Sequence, residues 1–151
     1  MPALTSAEIV PGLVVHVDTD RLRAFGGSRT NAQATATEDR AVRGAHDFVV
    51  AMVDTGAHEV LALPLFPRSA PGSAPLLDAL KGGPPDFLAQ PLFYSQWQHW
   101  RIPVDALVAA STDEATAAGA RRSYGVGRAE VLQALANWAT RNRCAFRDAI
   151  G

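Results

Sequence analysis

One cysteine and one lysine stand among 151 residues, and no apolar run approaches the ~20 residues that a bilayer-crossing helix needs. Cys144 cannot form an internal disulfide. Beside Arg143 in a helix-patterned segment, it reads as a partly buried, inert thiol, because a nucleophile would need a lowered pKa and a nearby base. A formal net charge of -1 supplies no general attraction to nucleic acid or to a membrane surface. The opening MPALTSAEIV lacks a basic region followed by a long apolar segment, so no secretory signal is expected and a cytoplasmic location is the default. His16, His46, His58 and His99 show no metal-ligand spacing and have no cysteine partners, so neither zinc nor any other cofactor is expected. No sharp catalytic motif is present. Gly125-Val126-Gly127 is a lone GxG without the rest of a phosphate-binding fingerprint, and it serves as a helix entry without any ligand.

What is present is enough apolar residue for one core: 48% of the chain is hydrophobic, and a domain of this length can withdraw roughly 70% of its unfolded surface from water. A single domain over residues 1–151 follows. Thirteen arginines accompany the lone Lys81, and they gather in the first third (Arg21, Arg23, Arg29, Arg40, Arg43) and the last quarter (Arg121, Arg122, Arg128, Arg141, Arg143, Arg147). A guanidinium pairs with phosphate through a two-pronged fork that an ammonium lacks. A coding bias would produce the same excess.

The first strand expected is Leu13–Asp18, fed by the Pro11-Gly12 turn, with Val15 and Val17 on one face and Val14 and His16 on the other. Apolar periodicity then disappears from Asp20 to Ala45, which reads as a long polar loop. Loops this long in a compact domain tend to carry function or to be disordered. Phe48–Pro67, FVVAMVDTGAHEVLALPLFP, reads as a buried hairpin in which Gly56 gives the turn its backbone freedom. Phe48, Val50 and Met52 are expected on one face and Val49, Ala51 and Val53 on the other. Pro64 marks a bulge or an edge. PRSAPGSAPLLDALKGGPPD is an elaborated loop with one helical turn near Leu76–Leu80. Alternation predicts a strand from Phe93 to about Pro103, with Tyr94, Gln96, Gln98 and Trp100 sharing a face. Val104–Ala110 fits either a strand or the start of a helix. Asp113–Ala120 reads as helical, and Arg128–Cys144 gives the clearest helix, with Val131, Leu135 and Trp138 forming its apolar stripe.

Strand, loop, hairpin, loop, aromatic strand and terminal helix, with few helices between the early strands, predict an α+β fold: a small, strongly bent antiparallel barrel with a C-terminal helix packed on it. IVPGLVVHVD, GAHDFVVAMVD, EVLALPLFP and GVGRAEVLQALANW, in that order, resemble the layout of the MazF/PemK-like growth-inhibitor toxins. That resemblance spans most of the chain and implies an SH3-like barrel, a homodimer, metal-independent cleavage of single-stranded RNA and neutralisation by an antitoxin peptide. The sequence departs from the family pattern at two points. Asp47-Phe48 stands where the family has a basic residue and proline, and Phe66-Pro67 takes the place of a hydroxyl residue, with Ser69 nearby.

RNA cleavage without metal needs a group to take the 2′-hydroxyl proton and a cation to meet the charge developing on phosphorus. His46 and Arg43, at the end of the long loop, are the candidate catalytic residues. Arg29, Arg40, Tyr94 and Trp97 are the candidate substrate-binding residues, the last two as part of a stacking platform with His99 and Trp100. The same aromatic residues would equally anchor the core or a dimer interface. Two other readings compete with a ribonuclease or a catalytically degenerate relative. One is a non-catalytic protein-interaction module, and the other a small-molecule-binding barrel with its pocket between the loops and the aromatic strand.

Overall fold

In the computed structural model the described residues are 4–11, 13–30, 42–66, 73–75, 93–95, 98–110 and 147–148. Val14–Asp18 forms β1, and its alternation sends Val15 and Val17 into the core, as the sequence pattern predicts. It pairs antiparallel with β3, Ala45–Asp54, in a register that sets His16 opposite Asp47 and Asp18 opposite Ala45.

The polar segment after Asp18 departs from the loop expected there. Thr19–Phe25 is a helix, α1, whose N-terminus is capped by Asp18: its carboxylate accepts the Asp20 backbone N–H at 2.9 Å. Leu22 is its one large apolar residue in the core. A helix that buries a single large side chain leaves no periodic signal, so its only mark in the sequence is the cap. Arg29–Thr30 follows as the short β2.

β3 and β4 (Glu59–Phe66) make the expected hairpin, with two local differences. Gly56 keeps an ordinary φ, and the left-handed residue is His58, with φ of 53°. A register shift between Val50 and Met52 makes Ala51 an extra residue, a β-bulge that reverses the faces beyond it. Val53 therefore joins Phe48 and Val50 on the core side, while Met52 stands opposite Leu61 on the other side.

β4 also carries two strands on its far edge. Phe93–Ser95, β6, pairs with Leu65 and Phe66 and with β5, Ser73–Pro75. Trp100–Pro103, β7, pairs with Glu59 to Ala62. Leu63 and Pro64 fall between these two pairings, and residues 96 and 97 of the strand expected from Phe93 to Pro103 lie outside the described residues. Pro64 has no N–H to give the ladder, yet it stays in register with Phe48 of β3, and the irregularity of the hairpin falls at Ala51 instead. Tyr94 and Trp100 face opposite sides of the sheet, since Tyr94 pairs with Leu65 and Trp100 with the core residue Ala62.

Val104–Ala110 resolves as a helix, α2. Its first backbone N–H, on Val104, donates to the His58 carbonyl at 3.0 Å. Arg147–Asp148, β8, pairs with β2.

Every pairing is antiparallel, in the order β1-β3-β4-β7-β2-β8. The sheet curls about one core made by Val15, Val17, Phe48, Val50, Val60, Ala62, Trp100 and Ile102, closed by Leu22 of α1, Leu107 of α2 and Leu4, Ile9 and Leu13. The opposite face is also buried at Val49, Leu61, Leu63, Leu65 and Tyr94. The molecule is thus α+β, built on a bent antiparallel sheet. The helices expected at 113–120 and 128–144, the turn near Leu76 and Cys144 lie outside the described residues. No helix among the described residues is long and apolar enough to cross a membrane.

Candidate functional site

The end of the first connection is fastened to the sheet on both sides of Arg43. Val42 donates its N–H to Gln98 Oε1 at 3.0 Å, and the same oxygen accepts Trp100 Nε1–H at 2.9 Å. The Val42 carbonyl accepts from Arg23 Nη2 at 3.0 Å. Gly44, at φ +67°, turns its carbonyl to the start of α1, where Thr19 donates both its backbone N–H, at 2.9 Å, and its hydroxyl, at 3.1 Å. Arg43, between these two anchors, is exposed.

Arg23 supports the arrangement from below. Its Nη1 donates to Thr19 Oγ1 at 3.1 Å and to Asp20 at 3.3 Å, and its guanidinium lies 5.3 Å from the centre of the Trp100 ring. Burial lowers its pKa, and the nearby charge of Arg43 lowers it further. Asp20, which accepts from Nη1, and Asp18 pull it the other way.

His46, three residues on, is held differently. Its ring meets Phe66 edge-on at 5.1 Å and Phe48 at 5.8 Å. Burial lowers its pKa, against the opposing pull of Asp47 and of a hydrogen bond to the Leu65 backbone. The imidazole is therefore neutral at pH 7, and its Nε2 is buried with no hydrogen-bond partner. In this conformation a substrate proton cannot reach it. The structure brings His46 and Arg43 to one end of β3, the imidazole packed against Phe48 and Phe66 and the arginine exposed.

The binding candidates are spread out. Arg29 donates to both Glu59 oxygens, at 3.0 and 3.3 Å, and Arg101 to one of them at 3.1 Å, so a carboxylate only 12% exposed sits between two cations. Tyr94, 2% exposed, is buried on the sheet's other face from Trp100, and His99 is buried as well. These three take the core-anchoring alternative. Arg40 and Trp97 lie outside the described residues. A shallow cavity of about 280 Å³, lined by Arg21, Ala24, Phe25, Ala109 and Ala110, lies between α1 and α2.

Sequence reasoning missed the pair formed by His16 Nδ1 and Asp47 Oδ1, 2.8 Å apart and each close to 30% exposed. Thirty-one positions separate them. Alternation in LVVHVD sets His16 away from the core, but only the β1–β3 register supplies its partner. His58 Nε2 and Asp105 Oδ1 form a second, more exposed pair at 3.2 Å. Among the described residues, no three His, Cys, Asp or Glu side chains are grouped as a metal site requires. Comparison with family models, curated proteins and solved structures finds no match to this chain.

Proposed function

We propose that this chain is a growth inhibitor on the MazF/PemK-like plan, an SH3-like barrel that binds and cleaves single-stranded RNA without metal. The observation that carries the reading is the anchored Arg43: a backbone fixed at Val42 and Gly44 presents an exposed arginine near the half-buried Arg23. A phosphodiester seated there would relieve the repulsion between the two cations and find a positioned donor. The bent antiparallel sheet agrees with the plan, although a fold by itself does not fix a function. The same reading implies a homodimer and an antitoxin peptide as its cognate inhibitor.

Controlled expression in bacteria tests it. Wild-type chain is expected to arrest growth with loss of intact messenger RNA, and Arg43→Ala to relieve the arrest. Normal growth with undegraded RNA at a confirmed level of folded protein overturns the reading.

A binding-only relative is the second reading. It is favoured by the sealed Nε2 of His46 and by the engagement of Arg29 with Glu59, and it predicts RNA retention with no cleavage.

A further inference from the structure

Three of the histidines offer distinct chemistries. His46 Nε2 is sealed among aromatic rings, and His58 Nε2 is taken up by Asp105. In His16 it is Nδ1 that meets a carboxylate, Asp47, across the β1–β3 ladder. Among the described residues its other nitrogen, Nε2, has no hydrogen-bond partner, and the side chain is 28% exposed. One nitrogen oriented by a carboxylate and the other open is the arrangement by which an imidazole accepts and returns a proton. β1 ends the strand order, and Asp47, like His16, keeps part of its side chain in solvent.

We infer that His16 and Asp47 form an acid–base centre acting on a ribose 2′-hydroxyl, with His16 as catalytic residue and Asp47 as positioning residue. This inference rests on the RNA-cleaving reading above and names its chemistry. Asp47 holds Nδ1–H, which leaves the Nε2 lone pair outward. Nε2 takes the 2′-hydroxyl proton as the O2′–P bond forms, and the P–O5′ bond breaks. The departing 5′-oxygen takes a proton from water, and the imidazolium returns its own to solvent. The products are a 2′,3′-cyclic phosphate and a 5′-hydroxyl. The titratable groups nearest along the two strands are Asp18, whose carboxylate caps α1, and His46, whose ring lies on the opposite face.

Two measurements on the full chain test this. Diethyl pyrocarbonate acylates open imidazole nitrogens, so peptide mass spectrometry of the treated native protein should find His16 modified well ahead of His46. In parallel, a single-stranded RNA oligonucleotide is incubated in EDTA with wild type, His16→Gln, His16→Asn and Asp47→Asn, each checked for folding by circular dichroism. Both His16 variants should lose about 100-fold or more in rate. Asp47→Asn should lose rate and also shift the pH–rate profile, a readout that a merely structural role would leave in place. Resistance of His16 to the reagent overturns the proposal whatever happens to the RNA. Cleavage at the wild-type rate by the folded His16 variants overturns the centre but leaves the RNA-cleaving reading standing. Intact RNA with wild-type protein overturns both.

Discussion

His46 shows how one side chain can be chemically suggestive in a sequence and structurally spent in a fold. GAHDFVV places an imidazole at a strand start beside an arginine, which suits a general base. Strand alternation then puts it on the Phe48 side of β3, against Phe66, where burial lowers its pKa. Because the folded pKa lies below the unfolded value of about 6.5, the unfolded chain binds more protons in the window between them. Stability is therefore full above pH 6.5 and falls as the pH drops towards the folded pKa. Urea midpoints measured at pH 7 and pH 5 should show this loss in wild type, and His46→Phe should flatten it. An unchanged pH slope in that variant would assign the loss to other groups.

Glu59 was not legible at all, because its partners come from β2 and β7. Glu59→Ala would leave Arg29 and Arg101 facing each other without their shared acceptor. A cost of about 1–3 kcal/mol in urea unfolding is expected, with double variants that also remove Arg29 recovering part of it. His16–Asp47 was hidden for the same reason: the sequence shows the residue types, and only a register shows the pair.

Within single elements, legibility follows periodicity. β1 and the hairpin could be read because alternating or continuous apolar runs mark strands directly, whereas the bulge or edge expected at Pro64 does not appear in its pairing with Phe48. The bulge at Ala51 carries no composition signal, so face assignments beyond it were reversed. α1 escaped because it buries one large apolar residue, and α2 because seven residues are too few to separate a helical period from an alternating one.

The turn glycines make a quantitative contrast at the same scale. Gly56 has an ordinary φ, and an added Cβ would meet only Asp54 Oδ1 at 3.5 Å. Gly56→Ala should change stability by no more than about 0.5 kcal/mol. Gly27, at φ +83° with its Cβ position 3.0 Å from Pro103 Cγ, has neither conformational nor steric room. Gly27→Ala should cost about 1–2 kcal/mol. Equal midpoints for the two variants would contradict the turn geometry described.

At the scale of the molecule, the antiparallel pairing and bent sheet follow from a simple count: too few helices lie between the early strands to build parallel crossovers. The strand order does not follow from that count, since β2 reaches β7 and β8 through segments with no pattern in common. The same long-range closure sets Val42 on Gln98 and Gly44 on Thr19, and so fixes the backbone on both sides of Arg43.

The role proposed for Arg43 is most directly tested by the salt dependence of RNA binding. Fluorescence anisotropy of a labelled single-stranded oligonucleotide, titrated at several salt concentrations in EDTA, compares wild type with Arg43→Ala. Wild type should bind with an affinity that falls steeply with salt, and Arg43→Ala should bind more weakly with a log–log slope shallower by about 0.7, the loss of one phosphate contact. No binding by the folded wild type, or identical slopes for the two proteins, would contradict the role given to Arg43.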